Sequence, residues 1–126
     1  MDVNIGTETR YGDFVLKTMM QDWDIKSELP SGKLFEVVDN NLISESKLKL
    51  RSWKAGDRIQ PLGNKGTSKI SDILTDSKIP HNRKKDYPVL DNAGEIVWLC
   101  GIRLSEKFKV TDKTSEVIQL ELSTLN

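Results

Sequence analysis

Lys47-Leu48-Lys49-Leu50-Arg51-Ser52-Trp53-Lys54-Ala55-Gly56-Asp57-Arg58-Ile59-Gln60-Pro61-Leu62-Gly63-Asn64-Lys65-Gly66-Thr67 changes character a third of the way along. Its opening alternates, with Leu48, Leu50 and Ser52 on one side and Lys47, Lys49, Arg51 and Trp53 on the other. A period of two is the signature of a strand, here with one face toward solvent or a ligand. From Lys54 onward, three glycines and a proline within 14 residues predict a structured loop and exclude a helix.

Beyond the loop, Thr67 or Ser68 is placed to N-cap a short helix. Ile70, Ile73, Leu74 and Ser77 would share one face of it, and Lys69, Asp72 and Asp76 another, before Pro80 ends it. His81 to Asp86 is a basic connector with the makings of a helical turn. Pro88-Val89-Leu90, the turn Asp91-Asn92-Ala93-Gly94 and Glu95 to Cys100 predict a β-hairpin. Lys107–Val110 and Val117–Leu122 read as two further strands.

Upstream, Leu34 to Asp39 reads as a strand closed by the turn Asp39-Asn40-Asn41, and Leu29-Pro30-Ser31-Gly32-Lys33 as a loop. Phe14 to Met20 suits a strand, and residues 1–12 read as a loose lead-in. The expected division is therefore a lead-in over 1–33, with one strand and no recognised motif, and a domain over 34–126. The expected fold is α+β: six or seven strands in a sheet-dominated domain with one or two short flanking helices.

The 126 residues suffice for one domain with a real core, and 37% hydrophobic with 30% charged residues is ordinary globular composition. Cys100 is the only cysteine, which excludes an internal disulfide and a multi-cysteine zinc site; its apolar run makes it a core residue. No secretory h-region stands at the N-terminus and no apolar run approaches the ~20 residues of a membrane span, so a cytoplasmic location is expected.

The zero net charge conceals a division. Lys47 to Lys85 holds 11 lysines and arginines against Asp57, Asp72 and Asp76, a net +8; the remaining 8 basic and 16 acidic residues make −8. Such segregation suits a polyanionic partner, unless folding mixes the charges again.

No catalytic constellation accompanies it. His81, the only histidine, reads as a surface residue. Gly63-Asn64-Lys65-Gly66-Thr67 does not match the G-x-x-x-x-G-K-[ST] phosphate loop. Asp72 and Asp76 read as a solvated helix face beside Lys69, whose charge they would compensate.

Five blocks in order resemble the C-terminal domain of tRNA(Ile)-lysidine synthetases. They are Leu48-x-Leu50-Arg51; Gly56-Asp57-Arg58-Ile59-x-Pro61-Leu62-Gly63-x-Lys65-Gly66 with Lys69-x-Ser71-Asp72; Pro88-Val89-Leu90; Glu95 through Arg103; and Phe108-Lys109-Val110-Thr111 with Thr114. The similarity covers about residues 34–122; Asn64 departs from the family's usual methionine.

The resemblance implies a parent enzyme that uses ATP (with Mg) to join lysine to the wobble cytidine of an isoleucine tRNA. Its catalytic domain carries a Ser-Gly-Gly-x-Asp-Ser loop, which this sequence lacks, so this chain would be the C-terminal piece alone and hold no cofactor itself. It also implies a fold like a domain of the phenylalanyl-tRNA synthetase β-subunit, a grip on tRNA(Ile) toward the acceptor stem, and the parent catalytic domain as a partner in cis.

Residue chemistry assigns the contacts. Duplex RNA presents phosphates and a shallow minor groove, which arginine forks and lysine charges on a shaped surface can match. The expected RNA-binding residues are Arg51, Arg58, Lys65, Gly66, Thr67, Arg83, Lys84 and Lys85. Glycines 56, 63 and 66 would admit a phosphate closely, and the Thr67 and Ser68 amides would donate from a helix N-terminus. Arg51 shares its strand face with Lys47 and Lys49 and no acid; Asp57 would orient Arg58 or cap the Gly56 turn; Trp53 and Trp98 are expected in the core. The competing reading is a protein-interaction or linker domain whose basic face packs on its own catalytic domain.

Overall fold

Alternating apolar residues on long strands need two layers to bury them, and the computed structural model supplies both. It describes residues 1–24, 26–29, 32 and 34–125. Strands β1 (Glu8–Tyr11), β2 (Phe14–Asp22), β3 (Phe35–Asp39), β4 (Leu48–Ser52), β5 (Arg58–Ile59) and β6 (Ser68–Lys69) precede the α-helix α1 (Ile70–Asp76), the one α-helix among the described residues. Strands β7 (Pro88–Asn92), β8 (Glu95–Leu99), β9 (Arg103–Leu104) and β10 (Glu116–Thr124) follow it. One antiparallel sheet has the order β1-β2-β10-β3, a second the order β4-β7-β8-β9, and β5 pairs with β6 alone.

The two large sheets face each other across a first core. Leu16, Val38, Ile118, Leu120 and Leu122 come from one side, and Leu48, Leu50, Leu90 and Trp98 from the other. A second core lies beyond the second sheet, where Val89, Ile96 and Leu99 meet Trp53, Ile59, Ile70, Ile73 and Leu74. The second sheet is thus covered on both faces, and every residue of β7 is buried. Two-sided burial removes the polar alternate positions, which is why Ile96–Cys100 reads as an unbroken apolar run. A register shift, from Leu90 opposite Trp98 to Asp91 opposite Ile96, leaves Val97 as a bulged residue. Ala93 (φ 54°) and Gly94 (φ 91°) form the tight two-residue turn of the hairpin.

The expected sheet-dominated sandwich with a short flanking helix is the fold observed. Three local expectations differ. Residues 1–12 are not loose: the Met1 amine donates to the Leu50 carbonyl, Val3 N to the Leu48 carbonyl at 2.9 Å, and Val3 is buried. Backbone pairing along β4 needs no side-chain period, so periodicity could not reveal it. Residues 107–110 form no strand; Glu106–Phe108 is a 3-10 turn capped by the Ser105 hydroxyl and anchored by buried Phe108. Neither Thr67 nor Ser68 caps the helix: Ser68 and Lys69 are committed to β6, and the N-cap is Lys69 with no side-chain cap bond. The loop expected over 29–33 falls largely outside the described residues.

Candidate nucleic-acid interface

The basic segments occupy one side of the second sheet. Ile59 and Ile70 anchor the β5–β6 hairpin in the second core, and Trp53 fixes the 3-10 turn His81–Asp86 on the same core. The Trp53 Nε1 donates to the Lys84 carbonyl at 2.9 Å, while the Lys85 ammonium lies 3.8 Å from the centre of the Trp53 ring. Trp53 is therefore a core residue, as expected, with the Lys85 ammonium over one of its ring faces.

The hairpin loop is held by bonds that consume no lysine. Leu62 N donates to the Leu104 carbonyl at 2.9 Å and Glu106 N to the Gln60 carbonyl at 2.8 Å. Gly63 N donates to Glu106 Oε1 and Gln60 Nε2 to the Asn64 carbonyl, at 2.9 and 2.8 Å. Lys109, and then the Gly63 amide, hold the Glu106 carboxyl below its ordinary range. Gly56 (φ 93°) and Gly63 (φ 86°) each occupy the third position of a turn, closed by Asp57 N to Lys54 O and by Asn64 N to Pro61 O. That backbone geometry explains these two glycines without a ligand. Gly66 has no such conformational reason, and a β-carbon there would meet nothing within 4 Å.

The expected contact residues separate into three groups. Arg58, Lys65, Gly66 and Thr67 share the hairpin and are exposed. Arg58 Nε donates to Thr67 Oγ1 at 2.9 Å and Nη2 to the Thr67 carbonyl at 3.3 Å, so Thr67 orients the arginine. The Thr67 and Ser68 amides do not sit at a helix N-terminus, because the chain is still extended there. Arg83, Lys84 and Lys85 share the 3-10 turn, where Arg83 pairs with Asp86 at 2.8 Å and Lys84 Nζ donates to Thr75 Oγ1 at 2.8 Å.

Arg51 stands apart. Its guanidinium binds Asp57 at 2.8 Å and Asp91 at 3.2 Å, with about a quarter of the side chain exposed (24%). Nη1 also donates to the Ser52 carbonyl at 3.0 Å. The expectation that its face carries no acid is corrected: Asp91 reaches it from β7 across the sheet. Asp57 caps its turn as expected, accepting Lys54 N at 2.8 Å, but it orients Arg51 and not Arg58. Burial pushes the Asp57 carboxyl up, and the Arg51 and Lys54 bonds and charges outweigh it, so the acid titrates below its ordinary range.

Lys69 is the residue that sequence reasoning set aside. It lies on β6 directly opposite Arg58, not on the helix face of Asp72 and Asp76. Among the described residues it forms no ion pair with either acid. Opposed residues of an antiparallel pair project to the same side, so two cations stand together there. The missed signal was Arg58-Ile59 and Ser68-Lys69 as a minimal hairpin, too short to show a period.

A family model described as the TilS substrate C-terminal domain matches residues 48–122. The tRNA(Ile)-lysidine synthase of Caldanaerobacter subterraneus subsp. tengcongensis is 34% identical over 116 residues, which is 92% of this chain and 25% of that protein. The Dehalococcoides mccartyi tRNA(Ile)-lysidine synthase is 32% identical over 123 residues, 98% of this chain and 26% of the relative. This chain thus spans about a quarter of the length of these relatives. A crystal structure of a TilS C-terminal domain superimposes with a TM-score of 0.85 at 23% identity, over 99% of this chain and 95% of that one. An N-terminal fragment of the Pyrococcus horikoshii phenylalanyl-tRNA synthetase β-subunit shares the fold more distantly, with a TM-score of 0.57 at 19% identity, over 73% of this chain and 28% of that one. On the match over residues 48–122, this chain belongs to the TilS substrate C-terminal domain family.

Proposed function

We propose that this domain grips a structured tRNA, an isoleucine tRNA held toward its acceptor stem, while a separate catalytic domain joins lysine to the wobble cytidine. ATP with Mg and lysine would bind that other domain, in the cytoplasm; this chain would supply none of the reacting groups.

One observation carries the reading: Arg58 and Lys69 face the same side of a two-residue strand pair, with Lys65 on the loop between them. Like charges placed opposite each other destabilise a sheet, so the arrangement costs stability unless an external anion satisfies it. Phosphates are such anions, and the hydrogen-bonded loop presents the cations without having to be ordered on binding.

The test is the salt dependence of tRNA binding by the isolated domain. With four to six phosphates neutralised, log K should fall against log salt with a slope of roughly −3 to −5. A flat dependence would turn the basic surface toward protein. The same preparation should not convert ATP to AMP and pyrophosphate above a heat-killed control.

A second reading, docking onto the parent's catalytic domain, is favoured by a different place: the cleft where Leu29 and Leu62 lie exposed around Glu36. Burial pushes the Glu36 carboxyl up there, and an apolar surface of that kind suits protein.

A further inference from the structure

The β1–β2 turn and the 3-10 turn His81–Asp86 enclose an open cleft of about 300 Å³. Tyr11, Asp13 and Phe14 line one wall, Arg83, Lys85 and Asp86 the other, and Thr124 closes the end. We propose that this cleft takes one unpaired nucleotide of an RNA chain. The proposal rests on the reading of the neighbouring basic segment as an RNA surface and extends that surface onto residues 11–14, outside the stretch that the family model matches.

The volume is what a single nucleotide fills, and duplex RNA cannot enter it. The composition of the walls decides the ligand. Arg83 and Lys85 offer phosphate donors, but Asp86 pairs with Arg83, Asp13 adds a second negative charge near it, and the Lys85 ammonium is held on Trp53, so a bare phosphate gains little. A nucleotide presents a phosphate together with amino and imino donors on its base edge, and this mixed set fits two cations beside two carboxylate acceptors. Tyr11 and Phe14 supply aromatic surface, the partner that splayed-out bases stack on in single-stranded RNA recognition.

The walls are held in place before any ligand arrives. The Tyr11 hydroxyl hydrogen-bonds to Ser52 Oγ, and the Phe14 ring lies 5.7 Å from that of Tyr87. Leu125 N donates to the Asp13 carbonyl at 3.0 Å, and the Lys85 ammonium to the Trp53 carbonyl at 3.3 Å. Arg83, 63% exposed in its side chain, is the group with freedom to turn from Asp86 toward a phosphate.

The experiment compares a blunt RNA duplex with the same duplex carrying a short single-stranded 3′ overhang, by fluorescence anisotropy at fixed salt. The domain should bind the overhang duplex about tenfold more tightly. Thr124→Trp fills the cleft and keeps every cation, so it should abolish that preference while holding blunt-duplex affinity within about twofold. An overhang carrying 5-iodouridine should, on irradiation, crosslink the unaltered domain at Tyr11 or Phe14, a readout independent of how the variant folds. Equal affinity for both duplexes, or crosslinks exclusively elsewhere, would overturn the cleft assignment and leave the basic surface standing. Binding of neither duplex would overturn both readings. Micromolar binding of AMP or UMP alone would assign the cleft to a free nucleotide and overturn the RNA assignment.

Discussion

The sheet β1-β2-β10-β3 and the segment from Arg58 to Asp86 are built in opposite ways. The sheet strands carry six acids and two bases, a net −4; the segment carries seven bases against Asp72, Asp76 and Asp86, a net +4. The sheet is joined by long backbone registers, nine residue pairs between β2 and β10, and buries a row of apolar side chains in the first core. The segment has two-residue strands and takes its shape from side-chain bonds and from isoleucines sunk in the second core. Folding mixes the two charge populations of the sequence in part, pairing Asp91 with Arg51 and Asp86 with Arg83. It has also separated the groups that hold the basic segment from the groups that it displays.

The strongest way to break this comparison is to remove what the segment rests on. Leu74 is fully buried in the second core. Leu74→Ala should cost about 2–5 kcal/mol in chemical denaturation. Hydrogen exchange should then show amides of β5 and β6 losing protection before those of β2 and β10. Equal loss in both regions would mean that the two cores act as one unit.

Arg51 tests the boundary between holding and displaying. Removing it leaves Asp57 and Asp91 partly buried without their cation, so Arg51→Ala should destabilise the domain by about 1–3 kcal/mol. RNA affinity of the folded fraction should stay within about twofold. Loss of affinity with stability retained would return Arg51 to the contact surface.

The same pair sets an acid limit. Asp57 has a depressed pKa in the folded state, so its contribution is complete above the unfolded carboxylate value and disappears as pH falls through the folded one. Thermal stability should therefore decline below about pH 4, the unfolded Asp value. Asp57→Asn should be less stable at neutral pH and show a shallower acid decline; an unchanged profile would detach Asp57 from the acid response.

These cases mark what the residues could and could not reveal. Strands with a clean period, Leu48–Ser52 and Glu116–Thr124, were legible because one face of each strand meets a core. The hairpin turn at Ala93-Gly94 was legible from local backbone chemistry. The partners of Arg51 were not: Asp91 lies 40 residues away, and only the pairing of β4 with β7 brings it near. The same holds for residues 1–3, which pair through their backbones, and for the cleft beside Arg83, whose walls come from distant parts of the chain. Interactions set by neighbours in sequence are readable; those set by sheet order require the sheet.

The smallest expected effect separates two lysines that sequence periodicity ranked differently. On a helix, Lys69 would have been neutralised by Asp72 and Asp76; on β6 it stands opposite Arg58 and joins Lys65 on the displayed side. Lys65→Ala and Lys69→Ala should each weaken tRNA binding about three- to fivefold and lower the salt slope by about 0.7–0.9, the loss of one phosphate contact. Neither should change stability by more than about 0.5 kcal/mol. Lys69→Ala should shift it upward within that range, because it relieves a like-charge cross-strand pair. Lys65→Ala has no such opposite number and should leave stability flat. A Lys69 variant that binds tRNA as the unaltered domain does would show that the hairpin, although it carries both cations, meets RNA by its loop alone.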